Sequence, residues 1–98
     1  MIKKIVTRNN NTYILYYYDT DRLSIIIKND KVIGNFDPED ELRFNLYEER
    51  ISFTEFENTP TKTLEDLQTP YYSYIQLQSS LNIPIKINFF EKIITYLE

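Results

Sequence analysis

Tyr13-Ile14-Leu15-Tyr16-Tyr17-Tyr18, Leu23-Ser24-Ile25-Ile26-Ile27-Lys28 and Lys31-Val32-Ile33-Gly34-Asn35-Phe36 follow one another with only short polar stretches between them. Runs of about six residues rich in β-branched and aromatic side chains, punctuated by turn formers, mark consecutive antiparallel strands. Residues 13–36 are therefore expected to form a β-meander. Asn29-Asp30 suits a two-residue hairpin, because both residue types tolerate the positive φ of a type I′ turn. The first run is apolar on both sides, with Tyr13, Leu15 and Tyr17 on one face and Ile14, Tyr16 and Tyr18 on the other. A strand of that kind belongs in the interior of a sheet.

Upstream, Met1 to Arg8 places Ile2 and Val6 on one side and Ile5 on the other, and its lysines suit an edge strand. Asn9-Asn10-Asn11 then turns the chain. Downstream, Asp37-Pro38-Glu39-Asp40-Glu41 is expected to be a turn or a single helical turn, since proline presets φ and Asp37 can bond the backbone beyond it. Leu42, Phe44 and Leu46 alternate with Arg43, Asn45 and Tyr47, and Ile51 and Phe53 alternate with Ser52 and Thr54. Two half-buried strands joined through Glu48-Glu49-Arg50 are expected there. The sheet should stop over 58–62, and Thr63-Leu64-Glu65-Asp66 resembles a helix start that Pro70 limits to about a turn.

Tyr71 to Gln78 fits two patterns. Tyr71, Ile75 and Leu77 alternate with Gln76 and Gln78 as in a strand, and Tyr71, Tyr74, Leu77 and Leu81 fit a helix with Thr69 as cap and Pro70 at its first position. Asn82 to Ile87 is extended around Pro84. Asn88 then starts a predicted C-terminal helix with Glu91 three residues on, whose apolar stripe Phe90, Ile93, Ile94 and Leu97 would lie across the sheet. The fold class expected is α+β, with 1–98 as a single domain: an antiparallel sheet of five to seven strands carrying a C-terminal amphipathic helix on one face.

Composition narrows the chemistry. The 98 residues include no cysteine and no histidine, so neither a disulfide framework nor a thiol nucleophile nor an imidazole base is available. Acid–base work would fall to Asp, Glu, Lys or Tyr with pKa values shifted by a degree of burial that a chain this short can hardly supply. No glycine-rich phosphate loop and no H-E-x-x-H occurs, so no catalytic residue is assigned and the chain is expected not to be an enzyme. Asp19-Thr20-Asp21 lacks the glycine and distal glutamate of a calcium loop, so neither a metal nor another cofactor is expected. The longest apolar run, Tyr13 to Tyr18, is far below a membrane span, which points to a soluble, intracellular (cytoplasmic) protein without membrane contact. AT-rich coding would account for the heavy use of Ile, Asn, Lys and Tyr, so the nine tyrosines are not in themselves a functional signal.

Charge is divided along the chain. Residues 1–34 carry Lys3, Lys4, Arg8, Arg22, Lys28 and Lys31 against Asp19, Asp21 and Asp30. Residues 35–66 carry ten acids against Arg43, Arg50 and Lys62, so the formal net charge of −4 comes from the middle third. If Asp37, Glu39, Asp40, Glu41, Glu48, Glu49, Glu55 and Glu57 converge, with Glu65 and Asp66 nearby, they make a negative field that steers toward a basic groove. An ordinary solvated surface is the competing account. Tyrosine offers contact area at small entropic cost, so Tyr16 and Tyr18, or Tyr71, Tyr72 and Tyr74, are candidates for an aromatic recognition patch.

The expected function is that of a small acidic, non-enzymatic inhibitor that binds a protein partner and occludes the basic nucleic-acid-binding groove of that larger protein. By analogy alone, short acidic chains without catalytic residues are often phage- or plasmid-encoded inhibitors, anti-CRISPR proteins among them, or immunity proteins (antitoxins) that neutralise a toxin. The alternative is a nucleic-acid-binding module built on the tyrosines and the basic N-terminal end. Overall negative charge weakens any hold on phosphate and disfavours that direct contact.

Overall fold

Asn9 and Asn10 (φ 53° and 65°) and Asn29 and Asp30 (φ 47° and 68°) all hold left-handed backbone, the signature of type I′ turns. These two turns fold the first half of the chain. The computed structural model describes residues 2–18, 23–36, 44–67, 83–88 and 93–96. Strands β1 (Ile2–Arg8), β2 (Asn11–Tyr17), β3 (Leu23–Lys28), β4 (Lys31–Phe36) and β5 (Phe44–Leu46) form an antiparallel sheet in sequence order. β2 is interior, as its two apolar faces demand.

Two irregularities decide which side chains share a face. Tyr16 pairs with Ile25 but Tyr17 pairs with Leu23, so Ser24 is an extra residue in β3. Leu23 thereby joins Ile26 on one face, three positions away. Ile26 pairs with Gly34 and Ile27 with Val32, so Ile33 is likewise extra in β4. Tyr13, Leu15, Tyr17, Leu23, Ile26 and Ile33 consequently pack in one buried cluster, and Ile27 and Val32 lie in a second.

Each cluster has its own cover. The first is closed by Ile83 and Ile85, the latter from strand β6 (Ile85–Asn88), which pairs antiparallel with β7 (Ile93–Tyr96) as a separate hairpin. The second is closed by α1 (Phe53–Asn58) and α2 (Thr61–Asp66), which bring Phe53, Phe56 and Leu64, together with Leu67 just beyond α2, against Ile14, Tyr16 and Ile25 of the sheet. The sheet is thus the middle of three layers, and α+β describes the architecture.

Three expectations are corrected. Residues 53–58 form a helix and not a strand. Ser52 supplies the cap, its Oγ accepting from the Glu55 amide at 3.2 Å, and Phe53 and Phe56 fall on one helical face toward the sheet. The strand pattern there ends at Ser52, which bridges to Lys31. α2 begins at Thr61, two residues before the expected start, with Pro60 as the residue preceding it. The C-terminal helix is replaced over 93–96 by β7, where Ile93, Ile94 and Thr95 are β-branched and pair with Asn88, Ile87 and Lys86. The face assigned to that helix is occupied by residues of the β6 segment. The turn at 37–41 and the ambiguous stretch 71–78 lie outside the described residues.

Tyr13 is the one polar defect in the described core. It is 1% exposed, and its hydroxyl is buried without a hydrogen-bond partner among the described residues. An unmade buried hydrogen bond costs on the order of 1–3 kcal/mol. Tyr13→Phe keeps the ring and removes the defect, so it is expected to stabilise the fold by about 1 kcal/mol and to raise Tm by roughly 4–8 °C. A thermal scan that shows destabilisation would mean that the hydroxyl is bonded in solution.

Candidate interaction surface

The acidic surface is built from segments that the helical layer positions. Glu48 and Glu49 stand in the tight turn after β5, where the Arg50 amide donates to the Glu48 carbonyl at 2.7 Å. Capping by Ser52 then starts α1. Asn58 and Thr59 close it, their side chains donating back to the carbonyls of Thr54 (2.9 Å) and Glu55 (2.5 Å). Side-chain donors at the end of so short a helix satisfy carbonyls that have no partner within it.

With Phe53, Phe56, Leu64 and Leu67 committed to the sheet, the remaining positions face outward. Tyr16 stacks on Phe53 with ring centroids 5.3 Å apart and planes at 12°, and Tyr47 meets Phe56 edge-on at 5.8 Å. The Tyr47 hydroxyl also donates to Asn35 Oδ1 at 2.7 Å. These aromatic contacts clamp α1 and so fix where its acids stand. Glu55 and Glu57 on α1 and Glu65 and Asp66 on α2 are all exposed, as are Glu48 and Glu49.

The local electrostatics are uneven. Lys28 Nζ lies 2.6 Å from Glu49 Oε1, which partly neutralises that corner, and this hydrogen bond holds the Lys28 ammonium above its ordinary pKa. Arg50 reaches Glu48 at 3.4 Å, with both side chains about 60% exposed. The four acids of the two helices have no printed counterion of this kind. Lys62 is the basic residue within α1 and α2, and it too is exposed.

Of the acids expected to converge, Glu48, Glu49, Glu55 and Glu57 therefore belong to one continuous segment on the helical side of the sheet. Asp37, Glu39, Asp40 and Glu41 lie outside the described residues. Glu65 and Asp66 extend the segment onto α2. The aromatic patch does not assemble as expected from Tyr16 and Tyr18. Tyr16 packs on the helical side, whereas Tyr18, one residue past the end of β2, packs against the hairpin-side cluster. Strand alternation lapses where β2 ends, so the two rings do not share a face. Tyr71, Tyr72 and Tyr74 lie outside the described residues.

A signal for α1 was present in Ser52-Phe53-Thr54-Glu55, which has the S-x-x-E spacing of a capping box. Alternation of Ile51 and Phe53 masked it. Among the described residues, no group of three or more carboxylate side chains is gathered as a cation site, and no helix is long and apolar enough to cross a membrane. No protein-family model matches the chain, and no curated protein or solved structure shows significant similarity to it.

Proposed function

We propose that the protein is a non-enzymatic inhibitor that uses the acidic outer surface of its helical layer to occupy the basic groove of a nucleic-acid-binding protein or a toxin. The observation that carries this proposal is the placement of Glu55, Glu57, Glu65 and Asp66, exposed on two short helices whose apolar sides are clamped to the sheet. Charges held on a packed layer lose little freedom on binding, and complementary fields raise association rates and select partners. A basic groove evolved for phosphates is the natural complement. An anti-CRISPR-like or other anti-defence protein from a phage or mobile element, or an immunity protein, would act in this way.

The nucleic-acid-binding alternative draws less support. Tyr16, its most accessible candidate on the meander, has its ring face on Phe53, so base stacking there would displace α1.

Glu57, Glu65 and Asp66 sit in the last turns of their helices, where a cation is favoured by the helix dipole. Reversal of all three to Lys should leave the fold intact and still invert the surface. Nuclease-treated lysate of the source organism, passed over the immobilised wild-type chain, is expected to yield a basic protein that an added oligonucleotide displaces. The triple variant should retain at most a tenth as much, for three opposed charges at about 0.5 kcal/mol or more each. Equal retention by the variant, or binding of the oligonucleotide to the chain itself, would overturn the proposal.

A further inference from the structure

Strand β1 is the rim of the sheet, with β2 on one side and no described residue pairing with its other edge. Its apolar content is that of a strand with two covered faces. Ile2 stands opposite buried Tyr17 on the hairpin side and Ile5 opposite Ile14 on the helical side, yet they remain 48% and 62% exposed. They are the exposed large hydrophobic residues of the described structure. Val6, between them in register and next to Tyr13, does pack on the hairpin-side cluster. Both covering layers therefore stop short of the edge.

A seven-residue edge strand with unused backbone donors and acceptors and exposed isoleucines on both faces is a template for an added strand. Charge decides which strand fits. β1 carries Lys3, Lys4 and Arg8 and no acid, with Lys3 and Arg8 exposed. A second copy would double a purely cationic ribbon, which like-charge repulsion disfavours. An extended acidic segment is instead attracted, and cross-strand pairs of opposite charge stabilise the addition.

We propose that the outer edge of β1 receives an extended, acidic segment of a partner protein as a sixth strand of the sheet. The surface is separate from the acidic helical layer, and this inference stands or falls independently of the inhibitor function. Backbone pairing would supply the affinity, Ile2 and Ile5 would gain apolar cover, and the cations would select the sequence.

The test is a titration of the isotope-labelled full chain with two capped eight-residue peptides, one alternating valine and glutamate, the other alternating valine and lysine. The first is expected to shift and protect the β1 amides saturably, and the second is expected to leave them unchanged. Lys3→Glu/Arg8→Glu should weaken the first peptide about tenfold, and Lys3→Gln/Arg8→Gln by an intermediate factor, the neutral variant guarding against loss through misfolding. Equal response to both peptides, response to neither, or β1 amides already protected in a dimer of the free chain would overturn the proposal.

Discussion

Leu15→Ala is expected to cost roughly 3–5 kcal/mol, the range for truncating a fully buried leucine in a site that cannot collapse. Leu15 is 0% exposed and lies at the centre of an interior strand, paired with Lys4 on one side and Ile26 on the other. It belongs to the cluster that Ile83 and Ile85 cover, so the cavity would open beneath the hairpin, where both walls are held by ladders of hydrogen bonds. A domain of this size has a total stability on the order of 5–15 kcal/mol. The variant should therefore unfold at a much lower urea concentration, with an unchanged slope of the transition. Ile14→Ala, on the half-buried helical side of the same strand, is the control and should cost clearly less. Equal losses at the two positions would show that the hairpin does not close over Leu15.

Asn29→Ala is expected to cost about 2–4 kcal/mol, an unusually large figure for an exposed turn residue. Asn29 does two things. Its backbone sits at φ 47°, where a residue with a Cβ pays about 1–2 kcal/mol unless its side chain compensates. Its side chain also ties the two turns at this end of the sheet together. The Asn29 amide donates to the Thr12 carbonyl and the Thr12 amide donates to Asn29 Oδ1, both at 2.9 Å. Asn29 Nδ2 donates to Asn11 Oδ1 at 2.8 Å, and Asn11 Nδ2 reaches the Asn9 carbonyl at 3.4 Å.

The pair of bonds to Thr12 copies a strand ladder with one side-chain rung. It extends the pairing of β2 and β3 beyond the last paired residues, Tyr13 and Lys28. Asn29→Gly separates the two contributions, because glycine accepts positive φ freely but cannot replace the side-chain bonds. Chemical denaturation should rank the proteins wild type, Gly variant, Ala variant, with about 1–2 kcal/mol between successive members. Identical stability of the two variants would mean that Asn29 is not held in the left-handed region in solution.

The acidic surface shows how far a sequence carries a functional argument. That Glu48, Glu49, Glu55 and Glu57 would be solvated was plain from their charge and from the apolar residues between them. That they belong to a clamped helical layer was not, because it depends on Phe53 and Phe56 meeting Tyr16 and Tyr47, residues 37 and nine positions away in the chain. The pairing of Tyr16 with Tyr18 failed for a related reason. Alternation predicts faces only while a strand continues, and β2 ends at Tyr17.

The sequence by itself determined the meander, because its causes are local. Six-residue apolar runs select extended backbone, and Asn9-Asn10 and Asn29-Asp30 accept the positive φ that joins antiparallel neighbours at a tight turn. Only the tertiary structure decided the rest. Ser24 and Ile33 act as extra residues because Leu23 and Ile33 bury more surface on the hairpin side than strict alternation would allow. Phe53–Asn58 is a helix because two phenylalanines one turn apart find aromatic partners on the sheet, which outweighs the strand propensity of Ile51 and Phe53. Ile93–Tyr96, whose apolar spacing suits a helix equally well, is a strand because Ile85–Asn88 lies beside it to complete its hydrogen bonds. Short segments with two acceptable periodicities take the conformation whose apolar side finds a surface to cover, and that surface exists only after the meander has folded.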